Sequence, residues 1–314
     1  MSGLSVSRRV ALSLILAAAS WGIGTAISKR AVLEFPPLTL LPIQLAVSLI
    51  TLLLIVRWRG ESVREASVPT GLGRLGLLNP GLAYALSLVG LTQISASLSV
   101  LLWALEPVMI LVLAALVLAE RAGRALIALS GVAVGGMVLV LYSPDGIAGG
   151  HELGVILTLA GVGCCAVYSV IARRWIDAAG STLQVIVVQQ AYALALALIV
   201  LAGVAILGGP VLPTGLSAEG ALSAAASGIV YYGLAYFFYL HGLRRVRASI
   251  AAVSFYLIPV FGIAAGSVLG ERFDGRQWIG VVVVMGAVSL IAHRAESPAV
   301  APVDRLDTHS RTAL

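Results

Sequence analysis

The stretch Ala96–Arg121, ASLSVLLWALEPVMILVLAALVLAER, returns later in the chain as Ala248–Arg272, ASIAAVSFYLIPVFGIAAGSVLGER. Both copies open on Ala-Ser, carry a proline in mid-stretch (Pro107, Pro259) and close on Glu-Arg (Glu120-Arg121, Glu271-Arg272). The residues between are continuously apolar and rich in Leu and Ala rather than alternating, so each copy reads as a membrane-spanning helix. The likeness extends outward. At the same spacing Gly81 meets Gly233, Tyr84 meets Tyr236, Leu88 meets Leu240 and Gly90 meets Gly242. Further upstream Gln44 falls on Gln189, and Lys29-Arg30 on Arg173-Arg174. Ordered self-similarity over this length means that the chain is one structural unit used twice.

Composition agrees. The chain has 314 residues, 60% hydrophobic and 11% charged, with a mean hydropathy of +1.03. A soluble domain needs roughly 25% charged residues to cover its surface, so a soluble enzyme is excluded. The apolar excess excludes a disordered chain, and two adjacent cysteines, Cys164 and Cys165, exclude a disulfide scaffold. Ten apolar segments are predicted as helices: Val10–Ala31, Leu38–Val56, Leu75–Ile94, Leu98–Ala119, Ala125–Leu141, Leu153–Ala172, Leu183–Leu207, Ala221–Leu243, Ile250–Leu269 and Trp278–Ala292. The fold expected is all-α and integral to the membrane, with one five-helix repeat over 10–141, a second over 153–292 and a polar, flexible tail over 293–314. The first segment also has the look of a signal peptide, with Arg8-Arg9 before an apolar run and Ala17–Ala19 after it. Its apolarity continues past Trp21 to Ile27 and the repeat requires it, so it is read as a retained helix.

The formal net charge is +6. The basic residues are scattered singly and in small groups between apolar runs, the placement of orientation signals rather than of a nucleic-acid surface. With a cytoplasmic N-terminus, ten spans place all but Lys29, Arg30, Arg272 and Arg276 of the twenty basic residues on the cytoplasmic side. Both termini are therefore expected in the cytoplasm and the protein in the plasma (inner) membrane. Five spans per half is an odd number, so the second half enters the membrane inverted, the plan of secondary transporters with a midplane site.

An apolar helix with a central proline, closing in Glu-Arg and followed by a Gly-rich helix, occurs twice here. In this the chain resembles the drug/metabolite transporter superfamily, and in particular its EamA-type members, from Val10 to Ala292. The resemblance implies ten helices in two inverted repeats and a secondary carrier that exports a small metabolite, amino acids foremost and cationic compounds also. The chain departs from equivalence between its halves at one point: Glu106 has Ile258 as its counterpart.

Glu106 is the only acidic residue well inside a predicted span. A carboxylate in hydrocarbon is costly, so it faces the bundle interior, where desolvation favours its protonated form. It reads as a proton-coupling or ammonium-binding group, or as a protonated acid tied to a neighbouring helix. Pro107 and Pro259 each remove a backbone donor in mid-span, which suits a pair of hinges as well as two static bends. Polar and aromatic residues inside spans are the candidate substrate contacts: Trp21, Gln44, Asn79, Tyr84 and Trp103 from the first half, and Tyr168, Gln189, Tyr232, Tyr236 and Tyr256 from the second. Flat apolar walls with a few hydrogen-bonding groups suit an amphipathic solute, and ring faces suit an ammonium. Gly131 and Gly135, and Gly262, Gly266 and Gly270, are read as close-packing faces. Such contacts can be met within one chain, so a monomer suffices.

The partners expected are a small-molecule substrate and the lipid bilayer, with no nucleic acid, metal or cofactor. The sole lysine, Lys29, lacks the glycines of a phosphate-binding loop, which argues against a primary pump. A membrane enzyme would need paired acids, an H-E-x-x-H site or a G-x-S-x-G turn, and the sequence has none. A sensory role lacks a soluble domain to relay a signal.

Overall fold

The computed structural model describes residues 8–60, 68–117, 124–143, 146–147, 151–172, 175, 178–213, 215, 217–243, 254–272 and 274–296. The helices are α1 (Arg8–Ala31), α2 (Pro37–Trp58), α3 (Thr70–Gln93), α4 (Ala96–Trp103), α5 (Glu106–Val117) and α6 (Arg124–Leu141). They continue with α7 (Glu152–Ala172), α8 (Thr182–Ile206), α9 (Ala218–Gly242), α10 (Ile258–Val268) and α11 (Gly275–Glu296). One short antiparallel pair, Tyr142–Ser143 with Gly146–Ile147, follows α6. Six helices, α1, α2, α3, α7, α8 and α9, are long and apolar enough to cross a bilayer, and 96–110, 127–136 and 258–268 are shorter apolar stretches. The chain is an all-helical membrane protein.

Local chemistry explains the starts of several helices. Pro37 sits in the first turn of α2, where its missing N–H costs nothing. Ser95 caps α4 by accepting the Leu98 N–H at 3.0 Å, and Ser217 caps α9 by accepting that of Gly220 at 2.9 Å.

The spans break or change pitch where the sequence reading drew continuous helices. The predicted Leu98–Ala119 helix is two helices. The Ala104 N–H is shared between the Val100 and Leu101 carbonyls, the Leu105 N–H turns to Leu102, three residues back, and α5 starts afresh at Glu106. Pro107 therefore lies in a first helical turn, as does Pro259 in α10, which follows a 3₁₀ turn at Ser254–Leu257. The two prolines open helices rather than notch them in mid-course, because a residue without an N–H is cheapest where that N–H would have no partner anyway. Two other spans change pitch: α3 narrows at Leu75–Leu77 and then widens into a π turn at Leu78–Leu82, and α9 widens at Gly228–Leu234.

Packing pairs the elements in a reciprocal way. α1 lies against α9 and α10, while α7 lies against α3, α4 and α5; α2 packs on α8, and α6 on α11. The tightest crossings use glycine. A Cβ on Gly228 of α9 would stand 2.7 Å from the Gln44 carbonyl oxygen of α2, and a Cβ on Gly76 of α3 would strike the Gln189 backbone of α8. Gly262 likewise admits Val100 of α4, whereas Gly131 and Gly135 have nothing within 4 Å. The expected glycine face on α6 is thus not a contact; Gly136, against Val283, makes it. Outward faces carry large apolar side chains, such as Ile199 at 70% and Val282 at 67% exposure, as a lipid-facing perimeter requires.

Gly228→Val should destabilise the bundle by about 1–3 kcal/mol, since backbone rather than a flexible side chain must give way. Gly131→Val should be neutral. Thermal melts of both variants in detergent check the contrast.

Candidate functional site

A cavity lies at the centre of the bundle, between α1, α3, α4 and α5 of the first half and α7, α9 and α10 of the second. The cavity and its approaches hold about 520 Å³ of atom-free space, but only about 30 Å³ admits a water-sized sphere, room for roughly two waters. It is closed.

Seven of the side chains singled out from sequence meet there: Trp21, Asn79, Tyr84, Trp103, Glu106, Tyr168 and Tyr236. The rings hold one another edge-on. Trp21 stands 5.6 Å from Tyr236 and 5.5 Å from Phe255, centroid to centroid, and Tyr84 is 5.2 Å from Tyr231, the geometry that aromatic quadrupoles favour. The Tyr236 hydroxyl donates to Asn79 Oδ1 at 2.7 Å and shares a hydrogen bond with the Tyr84 hydroxyl at 3.0 Å. Asn79 can reach this position because its backbone (φ −142°, ψ 117°) leaves the helical region inside the wide turn of α3.

Two lining groups make no hydrogen bond with the described residues. Glu106 is buried at the start of α5, and among the described residues no side chain hydrogen-bonds or ion-pairs with its carboxyl. The Trp21 indole Nε1 is buried and makes no hydrogen bond. Among the described residues that line the cavity, Glu106 is the one carboxylic acid and none is a Lys, Arg or His.

The other candidates lie elsewhere. Gln44 donates to Ser28 Oγ at 3.1 Å and to Ser227 Oγ at 2.6 Å, tying α2 to α1 and α9. Gln189 donates to the Leu72 carbonyl and accepts the Tyr168 hydroxyl, both at 2.9 Å, tying α8 to α3 and α7. Neither amide lines the cavity; Gln189 instead orients Tyr168, which does. Tyr232 lines a smaller hollow next to it with Ser28, Ser87 and Ser99, and Tyr84, Trp103 and Tyr231 form the wall common to both spaces. The Tyr256 side chain lies outside the described residues, as do Glu120, Arg121, Arg173, Arg174 and Ala248–Ile250. Pro107 and Pro259 adjoin the cavity through their neighbours Glu106 and Ile258.

Sequence reasoning passed over Thr25, Cys165, Ser169, Tyr231, Tyr239 and Phe255, which also line the cavity. Tyr239 follows Tyr236 by three residues and was legible from helical spacing. Tyr231 was not: five residues separate it from Tyr236, and only the wide turn of α9 puts the two on one face. Among the described residues no group of three His, Cys, Asp or Glu side chains is placed to hold a metal.

At one end of the bundle charged side chains close the helices together. Lys29 Nζ donates to the Leu91 and Ile94 carbonyls at 2.8 and 2.7 Å, the last turn of α3. The Glu271 carboxylate accepts the first N–H groups of α4, from Ala96 at 2.7 Å and Ser97 at 2.9 Å. Opposite charges thus meet opposite helix ends, as the helix dipole favours. Arg30 forms a two-pronged pair with Glu219 at 2.7 and 2.8 Å. Lys29 is therefore not a side chain reaching out to the interface, because two carbonyls left open at the end of α3 claim it. Glu34 binds the Ser217 hydroxyl and N–H, bonds that hold its carboxyl below the usual range.

The sequence profile of the EamA-like transporter family matches residues 8–142 and again 152–293. The chain belongs to the EamA-like transporter family. The permease-like protein YdzE of Bacillus subtilis (strain 168) is 33% identical over 70 residues, 22% of this chain and 90% of YdzE. A crystal structure that covers 92% of this chain and 98% of its own superposes with a TM-score of 0.65 at 22% identity, a likeness of fold.

Glu271→Ala removes the acceptor for two helix-end donors and should cost about 0.5–2 kcal/mol, with Glu271→Gln between it and the native protein. Denaturation monitored by helical signal in detergent gives the order. The Glu34 bonds contribute stability above the ordinary carboxylate range and lose it as pH falls through the lowered value; Glu34→Gln should flatten that part of an acid titration.

Proposed function

We propose that this EamA-like protein is a secondary active exporter of a small solute bearing an ammonium group, zwitterionic or cationic, with amino acids in its range. The observation that carries the reading is the closed central cavity with an unpartnered carboxyl, Glu106, among aromatic rings. An acid held out of water without a partner marks a substrate or ion site. Glu106 either holds a proton or faces the substrate's ammonium, which couples the two flows.

The architecture proposed is ten spans, with α4 and α5 together making one, in two inverted five-helix repeats over 10–141 and 153–292. Three observations support it. The family profile matches twice. The pairings interchange: α1 contacts α9 and α10 as α7 contacts α3, α4 and α5. The Gln44–Gly228 crossing has its counterpart in Gln189–Gly76. Both termini then face the cytoplasm, and the Lys29–Glu271 end faces outward. A cavity of about 30 Å³ is too small for an amino acid, so transport requires each side to open in turn, and the bonds at the Lys29–Glu271 end are those that must part for outward release.

The test is purified protein in liposomes with labelled amino acids and quaternary amines. Counterflow of at least one class is expected; none, with folded protein, overturns the reading. Glu106→Gln should abolish uptake driven by a pH difference while sparing exchange between identical solutes. Pulse-accessible tags at the two chain ends should both report from the cytoplasmic face.

A further inference from the structure

Resting on that reading of the cavity, we propose that the site selects an organic amine over the corresponding amino acid. The geometry sets one carboxyl among aromatic rings, with no cation among the described residues that line the cavity. Glu106 is buried and lacks a partner, so an ammonium brought beside it gains a counter-charge that nothing else in the described cavity competes for. Trp21, Tyr84, Trp103 and Tyr236 line the cavity; a cation placed over a ring face is attracted to it, and the rings cover the ligand's apolar body.

A carboxylate on the same solute meets the opposite situation. Among the described residues no Lys, Arg or His lines the cavity. The nearest basic side chain of α1, Lys29, is spent on the Leu91 and Ile94 carbonyls. The Tyr236 hydroxyl is already donated to Asn79, and that of Tyr168 to Gln189. One buried donor, Trp21 Nε1, is open. It satisfies one neutral hydrogen bond and leaves a carboxylate's charge uncompensated next to the Glu106 carboxyl. Once Glu106 has given up its proton to face the ammonium, a carboxylate on the same solute is an unpaired charge buried beside a like charge, which is expensive enough to set the preference. The ligand that fits is a primary to quaternary amine with a compact apolar or aromatic body; an acceptor on it can take the Trp21 N–H. This departs from the amino acids that the family resemblance puts foremost.

Three probes of one skeleton decide it: phenethylamine, phenylalanine and 3-phenylpropionate, measured by competition and counterflow with the full chain in liposomes. Phenethylamine is expected to compete at least tenfold more strongly than phenylalanine, and phenylpropionate not at all. Binding of the amine in weakly buffered detergent near pH 7 should release close to one proton per protein. Glu106→Gln should bring the amine-to-amino-acid ratio towards one and abolish the proton release, whereas Trp21→Phe, which keeps the ring, should keep the ratio. If Glu106→Gln yields no monodisperse protein, proton release by the native protein stands as the readout. Phenylalanine equal to or better than phenethylamine, or amine binding with no proton release, overturns the inference and leaves the export reading in place. Failure of all three probes together with every solute of the wider transport panel overturns both.

Discussion

Inside a bilayer no water is on hand to satisfy a backbone group, and every interruption of a helix must find a partner within the protein. This chain interrupts its helices repeatedly, at the wide turns of α3 and α9 and at the break between α4 and α5. At the α4–α5 break the backbone re-pairs with itself; in the wide turn of α9 and at several helix ends, side chains take over the open groups. Gln189 reaches the Leu72 carbonyl and Gln190 that of Tyr232, Lys29 holds the last carbonyls of α3, and Glu271 the first N–H groups of α4. Several of these bonds run between the two halves of the chain. The polar residues scattered through an otherwise apolar sequence are mostly the fastenings that let it be irregular at its centre.

That irregularity makes the cavity. A straight α9 would turn Tyr231 away from Tyr236, and a straight α3 would withdraw Asn79 from the Tyr236 hydroxyl. The wide turns gather the rings, and the break before α5 delivers Glu106 to the same space. On the other side Ile258 occupies the equivalent start of a helix. Of these two helix starts, only that of α5 presents an acid.

Much of this was legible. Helix α7 was predicted at Leu153–Ala172 and runs Glu152–Ala172, since its apolar run is bounded by polar residues. Helix α11 continues past the predicted Ala292 to Glu296, because the charged residues His293 to Glu296 end apolarity without ending helicity. The aromatic wall was legible at Trp21, Tyr84, Trp103 and Tyr236, because aromatic and polar side chains inside spans point inward when they cannot face lipid. Three kinds of feature were not. Gln44 and Gln189 were drawn to the cavity by their chemistry, while each is held by one partner on a neighbouring helix in sequence and one more than a hundred residues away, Ser227 and Leu72. Tyr231 was missed because a helical wheel assumes constant pitch. The prolines were expected as kinks, because sequence alone does not reveal that the preceding turn had already given way.

The lone carboxyl opposite Ile258 has an electrical consequence. If the proposed carrier exchanges the Glu106 proton for one monovalent cation, the loaded site is neutral on both strokes of the cycle. Such an exchange moves no net charge across the membrane. It responds to the acidity difference between the two sides and is blind to the voltage, so collapsing the potential with a potassium ionophore leaves its rate unaltered.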